Sequence, residues 1–269
     1  MIDFAVKFYI IVLLLRWALT QQELNFNAIG KTIGVMTDFI FKRIKGTKSD
    51  SDKYIPVFIL VLGFLDGLFS AFFSRMNAGI TIMQTYRDLI AFLGCFFILA
   101  ILLGATASSI ASSAFTLFYR LGAIWIKAVR VILPIRSNFV AVPAILSVAL
   151  ISIALMTGLN FIMAALLHLG VLVPLILVSD AASHFVLSIV TMLDIYMWVF
   201  VLRALLSWLS PAMQSTHAQI IYYLTEPLLE RVRRIVPQLG VFDVSVIVAL
   251  AILAVLKRII IQLVIHASL

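Results

Sequence analysis

Uninterrupted apolar runs close to the length of a bilayer crossing recur along this chain, and no other feature constrains its fold as strongly. They lie at about 3–20, 54–73, 87–105, 139–157, 158–178, 182–209 and 243–266. A helix needs about 20 consecutive apolar residues to cross a hydrocarbon core. The chain is 64% hydrophobic and 12% charged, with mean hydropathy +1.17; soluble domains run at roughly 45–50% apolar and about 25% charged. Lipid is therefore the solvent to expect. The net charge of +8 does not point to nucleic acid, because the basic residues cluster in the segments between apolar runs. There they set orientation and meet anionic headgroups.

Those basic segments are 31–53, 120–136 and 231–234. The positive-inside rule puts all three on the cytoplasmic side. Three apolar runs separate the second from the third, yet only an even number of crossings returns to the same side. The run 158–178, which carries His168 and Pro174, is the one expected to be re-entrant or to merge with a neighbour. The expected fold is an all-α polytopic membrane protein of duplicated span–amphipathic helix–span units. About six crossings plus one irregular or re-entrant element follow, with both termini outside. The N-terminal MIDFAVKFYIIVLLLRW has no basic n-region or small-residue cleavage site, and reads as a retained span.

The duplication rests on an offset of 103 residues, which carries Pro134 onto Pro237, Tyr119 onto Tyr222, Arg130 onto Arg233 and Phe139 onto Phe242. Leu and Val would match by composition alone, but Tyr, Arg, Pro and Phe in order would not. Four regions follow: 1–85, an extension with a helical hairpin and a basic cytoplasmic loop; 86–156, a degenerate repeat; 157–195, a connecting membrane segment; and 196–266, the better repeat. A fainter echo lies in the first region. Tyr9 and Arg16 are spaced like Tyr196 and Arg203, and Thr37-Asp38 precedes a basic stretch as Thr225-Glu226 does. Any hairpin with a basic loop could look so.

Two amphipathic stretches carry the candidate chemistry. After Pro227, Leu224, Leu228, Val232 and Ile235 recur at helical spacing, with Glu230, Arg231, Arg233 and Arg234 elsewhere on the wheel. Thr225 or Glu226 would cap that helix, and Pro237 would stop it. In the other copy Arg120, Lys127 and Arg130 share one arc, opposite Leu121, Trp125, Val129, Ile132 and Leu133. Helices of this kind lie in the headgroup plane, as anchors or as docking surfaces.

Ionisable residues inside apolar runs each need a reason, since a charge in hydrocarbon costs about 3 kcal/mol on insertion scales. Arg16 and Arg203 are expected to snorkel near cytoplasmic ends, and Asp180 and His184 to sit near water at a break. Asp66 and Asp194 lie deeper and would line an ion or osmolyte pathway if one exists. Gly63-x-x-x-Gly67 reads as close helix packing. Cys95 is alone, so thiol redox chemistry is not expected. No metal-ligand spacing, nucleotide loop or catalytic set emerges, so no enzyme activity, cofactor or metal is expected.

The stretch RALLSWLSP…YYLTEPLLERVRRIVPQLGVFD resembles the YggT family (YlmG in Gram-positive bacteria). The family pattern runs R-x-x-x-S-W-x-x-P, then L-T-E-P-L-L-x-P-x-R-R-x-x-P, then I-D-x-S-P. It is matched by Arg203, Ser207, Trp208, Pro211, Leu224, Thr225, Glu226, Pro227, Leu228, Leu229, Arg233, Arg234, Pro237, Gly240, Asp243 and Ser245. Arg231 and Val246 replace two family prolines. In the other copy Gly122-Ala123-Ile124 replaces Thr-Glu-Pro and Val140 replaces Asp, while Arg130, Pro134 and Pro143 fit. The resemblance is specific over 196–256, weak over 98–156 and silent on 1–85.

What the resemblance implies is a non-enzymatic factor of the bacterial inner membrane, associated with cell division, envelope organisation or membrane-complex assembly. Glu226, Pro227, Arg231, Arg233, Arg234, Pro237, Arg120, Lys127 and Arg130 would form the docking or lipid-facing surface. Arg203, Trp208 and Asp243 would fix the flanking spans. Partners would be anionic lipid, other membrane or division and assembly proteins, and further copies of the chain. The alternative is a channel or transporter lined by the two repeats.

Overall fold

The computed structural model describes residues 2–26, 28–41, 52–75, 77–106, 113–132, 140–167, 174–208, 216–234 and 244–267. These are almost entirely helical, with no strand among them. The elements are α1 (Ile2–Ala18), α2 (Gln21–Phe26), α3 (Ala28–Phe41), α4 (Ile55–Ser74), α5 (Ala78–Thr106), α6 (Ser113–Ile132), α7 (Ala141–Leu166), α8 (Pro174–Trp208), α9 (Thr216–Arg233) and α10 (Val244–Ala267). Helix is the expected answer for uninterrupted apolar sequence in lipid, where every backbone N–H and C=O must be satisfied within the segment. Two prolines fall at helix starts, while Pro227 lies inside α9. Pro56 and Pro174 occupy first turns, where the missing N–H is no loss.

Among the described residues five helices, α4, α5, α7, α8 and α10, are long and apolar enough to cross a membrane. The chain is a multi-pass, all-α membrane protein. At 17 residues, α1 is about 26 Å long, short of a full crossing. Of the two outcomes expected for 158–178, the described residues show the merging one. The first part completes α7 and the last residues begin α8, while 168–173, with His168, lie outside the described residues. Thr157 and Gly158 do not break the helix. Nothing lies within 4 Å of a Cβ built on Gly158, and glycine is well tolerated in membrane helices. Two long helices now separate the second and third basic segments, which removes the parity conflict.

The hub is α5, which packs against α4, α6, α7 and α8. Its contact with α4 is backbone-close at the Gly63-x-x-x-Gly67 stripe. A Cβ on Gly67 would meet Ile82 Cα at 2.9 Å, so only glycine allows that approach. The Tyr86 hydroxyl donates to the Leu60 carbonyl across the same seam at 2.8 Å. A second seam gathers Ala91 and Cys95 of α5, Met156 of α7, and Ala181 and Phe185 of α8.

A helix, a shorter helix and another longer helix follow one another three times: α1–α3–α4, with α2 inserted, α5–α6–α7 and α8–α9–α10. The 103-residue offset found in the sequence carries the starts of α6 and α7, Ser113 and Ala141, onto the starts of α9 and α10, Thr216 and Val244. The three short helices meet, with α9 touching both α3 and α6. Together they make one basic plate at the end where the sequence placed the cytoplasm.

Candidate functional site

The plate is fastened to the bundle by buried arginines. In α8–α9–α10, Arg203 is 4% exposed and reaches across to α9. Its Nη1 donates to the Thr225 hydroxyl at 2.6 Å and to the Tyr222 carbonyl at 3.2 Å, and its Nη2 donates to Glu226 Oε2 at 2.6 Å. The guanidinium also stacks 4.3 Å from the Tyr222 ring centre. The other Glu226 oxygen accepts from Arg233 at 2.6 Å. Thr225 in turn donates to the Ile221 carbonyl at 2.8 Å. A buried guanidinium is tolerable only when paired and hydrogen-bonded, and all those partners come from one face of α9. Leu229 and Val232 extend that face into an apolar cluster with Phe200, Val246 and Leu253.

The same device recurs in α1–α3–α4. Arg16, 6% exposed, donates from Nη1 to the Thr37 hydroxyl and to Asp38 Oδ1 at 3.1 Å. Asp52 Oδ1 lies 3.7 Å from its Nε. Thr37 donates to the Ile33 carbonyl at 2.7 Å, as Thr225 does one turn back in α9. The aromatic partner differs, being Phe41 at 4.5 Å. The faint echo in the sequence is thus a shared three-dimensional constellation. Neither arginine snorkels: each is covered by the short helix that folds back over it.

The middle unit reaches the same packing without ions. Under the 103-residue offset, Ala100 stands where Arg203 does, and Gly122 and Ala123 stand for Thr225 and Glu226. Here α6 lies directly on α5: a Cβ on Gly122 would meet the Ala100 carbonyl oxygen at 2.9 Å and Ile101 Cα at 3.0 Å. Small residues on both helices replace the arginine clamp with backbone contact.

The expected docking residues divide accordingly. Arg231, Arg234, Lys127 and Arg130 are exposed. Arg233 is turned inward on Glu226, and Arg234 pairs with Glu230 at 3.0 Å along the helix. Arg120 binds Glu23 Oε2 at 2.6 Å and the Ala18 carbonyl at 3.2 Å, tying α6 to the first unit. Thr225 and Glu226 are not caps, because α9 starts at Thr216 and runs through Pro227. Ile132 is exposed rather than on the apolar arc. Trp208 ends α8, whereas Pro237, Asp243, Ile235 and Leu133 lie outside the described residues.

Apart from Asp66, the other charges of the long helices singled out in the sequence are also paired. Asp194 receives the Lys257 ammonium of α10 at 2.6 and 2.8 Å. Asp180 accepts from Arg87 and from Asn160, each at 3.0 Å, and His184 Nε2 lies 2.7 Å from Asp88 Oδ1. Asp66 is buried, within electrostatic range of Asp3, Lys7 and Asp88. Lys257, Arg87 and Asp88 carried no signal as partners, being 63, 93 and 96 residues from the groups they meet.

Glu23 belongs to a capping box that sequence reasoning missed. Its carboxylate accepts from the Thr20 N–H and hydroxyl at 2.8 Å, and its own N–H donates back to the Thr20 hydroxyl at 3.3 Å. T-Q-Q-E is the signature. The hydrogen bond from Arg120 is the largest cause, helped by Thr20 and opposed by burial, in lowering the Glu23 carboxyl from its ordinary 4.5 to about 2. A depressed carboxyl contributes stability above its unfolded pKa, and that contribution is lost as pH falls toward the folded value. Stability of the purified protein should therefore drop as pH is lowered from 4.5 toward 2. Glu23→Gln should flatten that part of the curve, and an unaltered curve would show that the Arg120–Glu23 pair is not coupled to folding.

Residues 182–264 match the CCB3/YggT family, a span that holds all of the Arg203–Thr225–Glu226–Arg233 cluster. The chain is also similar to an uncharacterized protein in the proC 3′ region of Vibrio alginolyticus, 35% identical over 75 residues. That similarity covers 26% of this chain and 40% of the relative, so the chain spans about two fifths of the curated relative's length. No solved structure matches the chain.

Proposed function

We propose that this chain, whose residues 182–264 match the CCB3/YggT family, is a non-enzymatic scaffold of the bacterial inner membrane. It presents a basic helical plate to cytoplasmic partners and anionic lipid. The observation that carries the reading is the arginine clamp. A simple interfacial anchor needs only an apolar face and a few cations; it does not need a buried guanidinium fixing its angle to a spanning helix. Here two of the three short helices are held that way, and the third by backbone contact. Fixed geometry is what recognition requires and what lipid anchoring alone does not.

The clamp also separates the residues that would recognise a partner from those that shape the plate. Arg231, Lys127 and Arg130 point away from the bundle, whereas Arg233 holds Glu226. Partners in keeping with this surface are acidic segments of membrane-complex assembly or division proteins. The experiment is a mild-detergent pull-down of the tagged chain with quantitative mass spectrometry. Arg231→Glu combined with Lys127→Glu and Arg130→Glu should reduce a stoichiometric partner by about tenfold or more, a loss of roughly 1.4 kcal/mol or greater. Membrane insertion should be unchanged. Equal capture by the wild type and the triple variant would remove the plate from the recognition surface.

A further inference from the structure

Between α1 and the α5–α8 pair lies a cavity of about 360 Å³, within the usual range for small-ligand sites. It lies at the end of the bundle opposite the basic plate. Asp3 and Lys7 come to it from α1, Asp88 from α5 and His184 from α8. Asp88 and His184 sit ten residues into their helices, about 15 Å below the helix ends. The first turn of α1 shares that level. The short α1 thus leaves space beside two longer helices, and the space is walled by apolar side chains such as Phe92 and Ile195.

Its polar groups are not closed on themselves. Lys7 and Asp3 pair at 2.8 Å, but the Asp3 side chain is 58% exposed; Asp88, 46% exposed, accepts from His184 through Oδ1 alone. Two carboxylates, Asp3 and Asp88, share one ammonium and one imidazole, and the Asp66 carboxyl lies within electrostatic range. Charges at this depth are rare unless they have a task, and helix packing alone would be served better by apolar residues. The excess negative charge calls for a cation, while Lys7 offers a counter-charge to an attached anion.

We propose that this cavity binds a zwitterion with a primary ammonium and a phosphate, of the phosphoethanolamine class. The ammonium hydrogen-bonds to Asp88 and Asp3, and the phosphate lies near Lys7. The source is either an ethanolamine phospholipid of the outer leaflet, its chain against Phe92 and Ile195, or the free zwitterion. This does not depend on the scaffold reading, since no residue of the plate takes part.

The test places the full chain in nanodiscs of ethanolamine and choline phospholipids with identical acyl chains. Retained lipid is counted by native mass spectrometry. In parallel, equilibrium dialysis measures free phosphoethanolamine in detergent. A choline headgroup cannot donate hydrogen bonds, so the expected result is about tenfold preferential retention of the ethanolamine lipid, or saturable phosphoethanolamine binding. Either should be lost in Asp88→Asn. Ile195→Trp should also abolish it by filling the cavity without altering charge, with helicity and thermal midpoint unchanged. Lipid retention without phosphoethanolamine binding assigns the site to lipid; saturable binding of the free compound assigns it to the soluble source. No preference and no binding in the wild type, or binding that survives both substitutions, overturns the proposal.

Discussion

Glu226→Gln should destabilise the chain by about 3–5 kcal/mol, and by more than Arg203→Leu. Removing the carboxylate charge leaves a nearly inaccessible guanidinium with neutral acceptors only, namely a hydroxyl, a carbonyl, the new amide oxygen and an aromatic face, so the desolvation of Arg203 is no longer offset. Removing the arginine instead eliminates the buried charge. It leaves Glu226, about a third exposed, still paired with Arg233. The double variant should recover part of the loss. The analogous change in the first unit, Asp38→Asn, should cost less, because Asp52 also lies 3.7 Å from Arg16. Unfolding in mixed micelles, followed by far-ultraviolet circular dichroism, gives all four values. If Arg203→Leu proved the costlier, hydrogen bonding and packing by the arginine, rather than charge compensation, would govern the clamp.

That ordering bears on function through the geometry of α9. When Arg203 loses its carboxylate, α9 keeps its apolar contacts through Leu229 and Val232 but loses the groups that fix its angle. Partner capture in Glu226→Gln should fall even though Arg231 is untouched. In the middle unit the ion-free contact depends on both helices: Ala100 works because Gly122 has no side chain. Arg203→Ala opposite Thr225 does not reproduce that contact.

Periodicity and hydropathy carried much of the architecture. The apolar runs became long helices, and Leu121, Trp125 and Val129 pack inward on α6 as their spacing required. The middle apolar run between the last two basic segments was set apart from its predecessor because Gly158 and Thr157 look like a turn in water yet sit comfortably within a helix in lipid. It merges with that predecessor, as one of its two expected outcomes had it. Arg16 and Arg203 were misjudged for a different reason. Whether an arginine at a helix end snorkels or is buried depends on a second helix about 20 residues later folding back across it. That is tertiary information. Periodicity did place Thr225 and Glu226 beside an amphipathic helix, but Pro227 drew the start to itself and made them look like caps. Their work is done by side chains on a helix that began three turns earlier.

Asp194→Asn should cost about 3 kcal/mol, because it strands the Lys257 ammonium midway along α8 and α10, in hydrocarbon. Lys257→Met strands the carboxylate and should cost a similar amount. Asp194→Leu with Lys257→Leu should be neutral or stabilising, because no charge then has to be removed from water. The same set separates two roles for the pair. As a contact joining α8 to α10, it can be replaced by apolar packing, and the double variant should keep both its fold and its partner capture. As part of a solute path, it could not be: flux into proteoliposomes would vanish in the double variant while stability held. The direct Asp194–Lys257 contact favours the first role, since a carboxylate already held by an ammonium at 2.6 Å must break that pair before it can receive a passing cation.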